Sequence, residues 1–400
     1  LSAPLRHAIR HTLVEYQPLL LPANALDEDA ATLIWRRYRG QIDLEPPSFR
    51  TGNQWRLTGQ GWAGYIPLTR HLALELQPKV SLSRLFGMIE VAYNLQSLHF
   101  LPGLVQVTTL PELYMRLARL LAQRILDRGR RGLYRAYQPQ QERSQYVRGR
   151  IHTPSLVHTL PAATVHCHYH QLSADVEENR VLTWTLYTVL RSGLCTGDTL
   201  KTVQRAYRLL AGQTTLIPIT AERCRGRAYT RLNQDYAPLH ALCAFFLDQS
   251  GPGHTVGDQT MIPFLVDMAR VYEQFVAAWL KAKLAAAFGP IYHVATQVHT
   301  PLSSNLHFTI DLVISAGRRR WVVDTKYKTP AGGPDTADVA QILAYAQMQQ
   351  AQEAMLVYPA PIPQPLDVTI GGVRVRTLSF TLDRDFETGG EALIAALLEI

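Results

Sequence analysis

Four hundred residues exceed what one ordinary hydrophobic core organises, so two or three domains are expected. With 47% hydrophobic and 18% charged residues, the composition excludes a disordered or fibrous chain. The formal charge of +8 suits a polyanionic partner such as nucleic acid, although many basic proteins bind none.

The stretch from Leu1 to His11 carries Arg6 and Arg10 and lacks the apolar core of a cleavable signal. Runs such as Leu19–Leu21 fall far short of the about 20 residues a membrane helix needs, so a cytoplasmic protein is expected. Up to about residue 105 the pattern is strand-rich, punctuated by Pro46-Pro47, Thr51-Gly52-Asn53 and Gly59–Gly61. Gly64–Leu68 and Leu72–Leu76 read as short strands, and Leu85–Leu98 as a helix.

From Pro111 to Arg131, leucines at three- and four-residue steps predict a helix. Its polar side carries Arg116, Arg119, Arg124, Arg128, Arg130 and Arg131, and a second basic stretch follows at Arg143–Arg150. Such a face is either solvated or turned toward phosphates or a partner. His166, His168 and His170 share one face if the segment is a strand, a spacing that could hold zinc. With no further ligand nearby, half-exposed polar positions are the simpler reading. The four cysteines, Cys167, Cys195, Cys224 and Cys243, form no CxxC pair, which argues for reduced thiols over a zinc ribbon or disulfide framework.

Asp175–Ser192 and Leu200–Ala211 read as helices, and Gln249–Gly253 is the clearest linker in the second half. A long helix is then expected from about Pro263 to Phe288, followed by strands, a helix and further strands. The expected fold class is therefore α+β or mixed α/β. A strand-rich part ending in a basic helix (residues 1–155) and a helical part (156–255) precede a mixed sheet flanked by helices (256–400).

The chemistry concentrates in His307–Ser315 and Trp321–Lys328, two apolar runs flanking a polar turn with Gly317, the pattern of a β-hairpin. With Gly317-Arg318 as a two-residue loop, Ser315 opposes Arg320 and Asp311 opposes Asp324. Strand alternation puts Lys326 on the face of Asp324. Two close carboxylates need a proton or a cation between them. An oxygen-only donor set suits Mg²⁺ or Mn²⁺, which could activate water against a phosphodiester while Lys326 steadies the developing charge.

Three further features accompany this group. A helix over Asp335–Gln350, capped by Asp335 or Thr336, places Gln341 and Tyr345 on one face as contacts for a substrate backbone. Glu273, amid the apolar residues of the long helix, is a candidate third ligand beside Asp311 and Asp324, or a solvated position. Arg318, Arg319 and Arg320 at the hairpin tip are candidate DNA contacts, or an ordinary charged turn.

Asp311 followed by Asp324-Thr325-Lys326 resembles the PD-(D/E)xK nuclease signature, with Ile310 where the motif has proline. The Gln341…Tyr345 helix resembles the extension of its RecB-like branch. Over the wider chain, several short motifs occur in order. They are Trp35-Arg36-Arg37, Gly64-Tyr65-Ile66, Gln77-Pro78-Lys79-Val80, Leu85-Phe86-Gly87-Met88 and Arg148-Gly149-Arg150-Ile151, then Asp175…Glu178-Asn179-Arg180, Arg231-Leu232-Asn233…Tyr236 and Phe264…Met268…Tyr272-Glu273. Together they resemble the McrC family, nuclease subunits of the McrBC modification-dependent restriction systems.

That resemblance implies an endonuclease acting on double-stranded DNA with Asp311, Asp324 and Lys326 catalytic and Glu273, Gln341 and Tyr345 supporting. It also implies a partner, an McrB-like AAA+ GTPase hexamer that recognises methylated DNA and is contacted and stimulated through residues 1–155. The chain has no Gly-x-x-x-x-Gly-Lys-Ser/Thr loop, so it is not expected to bind a nucleotide itself. Two other readings remain: a non-cleaving adaptor of an AAA+ motor, and a RecB-like repair nuclease. An iron–sulfur variant of the latter is disfavoured because every cysteine precedes residue 250.

Overall fold

A computed structural model describes residues 9–69, 71–95, 109–151, 164–251, 254–256, 259–301, 307–383 and 385–399. The first part contains β1 (Ile9–Val14), β2 (Pro18–Pro22), α1 (Glu28–Arg37), β3 (Ile42–Glu45), β4 (Gln54–Gly59), β5 (Trp62–Pro67), β6 (Leu72–Gln77) and α2 (Leu82–Ala92). Then come α3 (Leu110–Arg130), β7 (Ala136–Ser144), β8 (Arg150–Ile151), β9 (Val165–Ser173), α4 (Glu177–Arg191), α5 (Gly197–Ala211) and α6 (Ala237–Asp248). After the short strands β10 (His254–Val256), β11 (Gln259–Met261) and β12 (Phe264–Asp267) comes α7 (Met268–Phe288). The last part holds β13 (His293–Pro301), β14 (His307–Ala316), β15 (Arg319–Thr325), α8 (Thr336–Met348), β16 (Glu353–Tyr358), β17 (Asp367–Ile370), β18 (Val373–Ser379) and α9 (Phe386–Leu398). The expected helix end at residues 96–98, the linker residues Pro252 and Gly253, and the first eight residues lie outside the described residues.

The protein is thus a mixed α/β fold, and it divides into two units at different places from the expected cuts at 155 and 255. Residues 5–113 join residues 251–259 and 263–400 in one unit, whereas 114–250 and 260–262 belong to the other. The reason is strand pairing across the sequence: β12 pairs antiparallel with β5, Leu265 opposite Gly64, in a four-stranded sheet ordered β1-β6-β5-β12. A separate three-stranded sheet, β2-β4-β3, packs Leu21, Leu44 and Leu57 with Ile34 of α1 and its C-cap Tyr38 into one apolar core.

Phe264–Asp267, expected as the start of the long helix, is therefore strand. The Phe-Leu-Val run completes the sheet, and Asp267 then caps α7 by accepting from Ala269 N and Arg270 N at 3.0 and 3.1 Å. Gly64 allows this pairing. Its φ is +149°, and a Cβ there would stand 2.1 Å from the Phe264 carbonyl oxygen.

A further sheet of this unit is six-stranded and mixed, ordered β13-β14-β15-β16-β18-β17. Pairing is antiparallel from β13 to β15, then parallel from β15 through β16 to β18. Ile310, Val322, Ala354 and Leu356 pack with Ile342, Tyr345 and Ala346 of α8 on one face. The buried rings of α7, Phe275 and Trp279, meet Phe380 at 4.8 and 5.2 Å.

In the other unit, α4 and α6 bury a polar network. Asn179 Nδ2 donates to the carbonyls of Tyr134 and Ala174, and its Oδ1 accepts from Tyr236 Oη at 2.7 Å. Asp175 pairs with Arg180 at 2.6 Å and accepts from Thr215, and the Arg180 guanidinium holds its carboxyl well below the usual range. The Asp175…Asn179-Arg180 and Asn233…Tyr236 motifs are thus brought together as internal supports. On β9, Cys167 and Tyr169 are buried while His166, His168 and His170 turn outward, and His166 Nε2 accepts from Arg143.

His240 belongs to this network. It is fully buried, its Nε2 donating to the Glu178 carbonyl and its Nδ1 accepting from Tyr229 Oη. Burial pushes the imidazole down to about 4. The unfolded chain takes up this proton near pH 6.5, so its contribution is complete above pH 6.5 and is lost as pH falls toward 4. Thermal unfolding from pH 7.5 to 4.5 is expected to show up to about 3 kcal/mol of lost stability that His240→Gln does not lose. Gly64→Ala is expected to lower stability by about 1–3 kcal/mol through overpacking against Phe264, measured by denaturant titration.

Candidate active site

Gly317, at φ +59°, and Arg318 form the tight turn between β14 and β15, and the ladder sets Ala316 against Arg319 and Ser315 against Arg320. It runs to Leu312 opposite Val323, which leaves Asp311 and Asp324 at the next step, as the hairpin spacing predicts. Leu312 and Ile314 are buried, as are Val322 and Val323, so the hairpin is apolar on both faces and its register is set by the tight turn.

Asp311 Oδ2 accepts from the Thr325 backbone N–H at 2.9 Å and its hydroxyl at 3.0 Å. Asp324 is 4% exposed, and its Oδ2 faces Lys326 Nζ at 2.7 Å. That oxygen is sealed from solvent, so the ammonium is the group that answers its charge. Lys326 lies just past the end of β15 and is kept in line by its backbone N–H, which donates to the Val357 carbonyl at 2.9 Å.

Gln341 and Tyr345 form a relay behind this lysine. Lys326 Nζ donates to Gln341 Oε1 at 3.0 Å, and Gln341 Nε2 donates to Tyr345 Oη at 2.7 Å. Their four-residue spacing on α8 makes this contact possible. Tyr345 is itself buried against Phe308, ring centroids 5.3 Å apart, so the phenol anchors the amide. Asp335 occupies the N-cap position of α8 but makes no side-chain cap bond; it pairs with Lys328.

Two residues that the sequence did not single out complete the group. Asp338, one turn before Gln341 on the same helix face, stands 3.6 Å from Lys326 Nζ and 2.6 Å from Lys328 Nζ. Gln297 lies in β13 at the step facing Asp311, where the ladder is interrupted between Thr296–Leu312 and Val298–Ile310. Its φ is +50°, a left-handed conformation held within a strand, and its amide donates to Glu273. Asp338 was findable by its spacing from Gln341; no sequence signal marks Gln297.

The electrostatics are those of crowded acids. Burial first, and then the Asp311 charge, pushes Glu273 upward, with a smaller contribution from Asp324. Burial raises Asp311 against the opposing hydrogen bonds from Thr325. Burial and the Asp311 charge push Asp324 up to about 6 despite Lys326. Burial pulls the Lys326 ammonium down, but Asp324 and Asp338 outweigh it and the net shift is upward.

Among the described residues no three His, Cys, Asp or Glu groups stand together as a metal-binding cluster. The donor chemistry nevertheless fits a hard divalent cation at Asp311 and Asp324, with Glu273 as a third acid. All three are carboxylates whose mutual repulsion a cation would relieve. Arg318, Arg319 and Arg320 are exposed at the turn, and Arg320 donates to the Gln349 carbonyl at 3.1 Å. No helix among the described residues is long and apolar enough to cross a membrane.

In comparison with known proteins, residues 57–359 match the family described as McrBC 5-methylcytosine restriction system component. No curated protein matches the chain. One similar solved chain comes from the refined half-complex of a tetradecameric assembly of Thermococcus gammatolerans McrB AAA+ hexamers with bound McrC. It aligns over 98% of this chain and 100% of its own length, with a TM-score of 0.54 and 17% identity. Another, from the cryo-EM structure of the Thermococcus gammatolerans McrBC complex, aligns over 69% and 88% with a TM-score of 0.45 and 20% identity. With the family match spanning well over half of the sequence, the chain belongs to the McrBC 5-methylcytosine restriction system component family.

Proposed function

We propose that this chain is the endonuclease subunit of an McrBC-like system, with a PD-(D/E)xK-type core that hydrolyses double-stranded DNA in the presence of Mg²⁺ or Mn²⁺. The observation that carries this reading is the Asp324–Lys326 pair, 2.7 Å apart, beside the half-buried acids Asp311 and Glu273. A bound divalent cation would polarise the phosphodiester and acidify a water. Asp311 and Asp324 would hold it, with Glu273 as the third acid.

The chain's own groups account for the rest. Thr325 turns the Asp311 carboxylate across the hairpin, and Gln297 orients Glu273. Gln341 and Asp338 hold Lys326 from behind, so that its ammonium can steady negative charge developing on phosphorus without losing its place. Similarity to the Thermococcus assembly supports an McrB-like AAA+ hexamer as partner, with GTP hydrolysis on that partner and its stimulation by this chain.

In the assembled complex, Asp324→Ala and Lys326→Ala are each expected to lower cleavage of methylated plasmid about 10²–10³-fold while stimulation of the partner's GTPase persists. Unchanged cleavage would sink the nuclease reading, and wild-type stimulation without any nicking would favour the motor adaptor.

Cation binding should also depend on pH in a definite direction. A carboxyl raised to about 6 holds a proton below that pH, so a cation must displace it. Affinity for Mn²⁺ is expected to rise from pH 5.5 to 7.5 with net proton release, read by calorimetry in two buffers of different ionisation enthalpy. Asp324→Asn should flatten that dependence; a wild-type affinity independent of pH would remove Asp324 from the ligand set.

A further inference from the structure

We infer that the cavity beside the end of the Asp324–Lys326 strand binds a phosphate of the DNA backbone neighbouring the one that is cut, with Lys79 and Arg84 as its cations. The inference deepens the nuclease reading and rests on it. The cavity, about 330 Å³, is lined by Lys79, Ser81 and Arg84 from the β6–α2 segment and by Tyr327, Thr329 and Asp383 among others.

Two cations and three hydroxyl side chains, with Asp383 the one acid of the lining, suit an anion rich in acceptor oxygens. The cations are pre-placed in a way that spares their donors. Lys79 Nζ lies 5.1 Å from the ring centroids of both Tyr16 and Tyr327, so aromatic faces hold the ammonium while its N–H groups remain to donate. Its backbone is fixed too, the N–H donating to the buried carboxylate of Glu15 at 3.1 Å. Arg84 sits 5.4 Å over the Phe386 ring and donates to the Asp383 carbonyl at 3.4 Å, leaving further guanidinium N–H groups. Asp385 also lies within its field.

Position selects DNA over a free anion. Tyr327 follows Lys326 directly, and Thr329 is three residues beyond it, at most about 10 Å along an extended chain. Successive phosphates of one strand advance about 3.4 Å along the duplex axis, so a neighbouring phosphate falls within that reach. The Gln77-Pro78-Lys79-Val80 motif then has a purpose: Pro78 ends β6 and delivers Lys79 to the two rings.

The test uses the full chain carrying Asp324→Asn, so that duplex DNA stays intact, with binding followed by fluorescence anisotropy from 50 to 200 mM salt. Lys79→Gln and Arg84→Gln are each expected to reduce the slope of log affinity against log salt by about 0.9, and together by about 1.8. Lys79→Arg should restore the slope, whereas Lys281→Gln, the same charge loss on exposed α7, should leave it unchanged. Circular dichroism melts check folding, and Lys79→Glu supplies a second, stronger perturbation at the same position. Unaltered slopes in the double variant overturn the proposal, as does loss of inorganic phosphate binding in these variants without any change toward DNA. Because this readout needs no cleavage, failure of the nuclease reading would appear separately, as intact DNA with the wild-type complex.

Discussion

Acidic charge kept out of water is the constraint around which the larger unit is organised. Asp311, Asp324 and Glu273 come from two adjacent strands and the helix packed on them, and burial together with the Asp311 charge drives Glu273 and Asp324 upward. Lys326 answers this excess at Asp324 and is shared with Asp338, while Arg270 lies within the field of Glu273. A stable core would gain from replacing such a group by apolar side chains of similar volume. Its presence at the end of the hairpin is therefore not explained by stability.

The strain around these acids supports the same conclusion. Gln297 holds a positive φ inside β13, where a side chain ordinarily costs free energy, and its amide is directed at Glu273. Lys326 is held by Asp324, by Gln341 and, through Gln341, by the buried Tyr345. Each contact removes a rotamer from a long flexible side chain. Pre-organisation of this kind favours a group whose position matters at the moment charge develops.

How much of this was legible in the sequence follows from the range of each interaction. The hairpin was readable because a two-residue turn with Gly317 fixes every pair behind it. The Gln341–Tyr345 contact was readable for the analogous helical reason, and through Gln341 it also reaches Lys326. Gln297 was not readable, because its role depends on a tertiary meeting of β13 with α7. Nor was the strand at Phe264–Val266, since a short apolar run has no period of its own and only the distant β5 decides its state. Asp335, one of two residues expected to cap α8, sits at the N-cap, but its carboxylate pairs with Lys328.

The division of the chain adds a constraint that linear reading misses. Residues 5–113 and 263–400 form one unit because β12 needs β5 as its neighbour and Gly64 permits the approach. Every acid of the candidate site, Lys326, its relay and the Lys79–Arg84 cavity lie within that unit. The early strands are consequently part of the scaffold that carries the candidate chemistry, and Glu15 on β1's outgoing turn fixes the backbone of the lysine that borders Tyr327. A cut anywhere between residues 113 and 263 would separate β5 from β12 and Lys79 from Tyr327. The C-terminal half alone would then keep its hairpin and lose one wall of the cavity beside it.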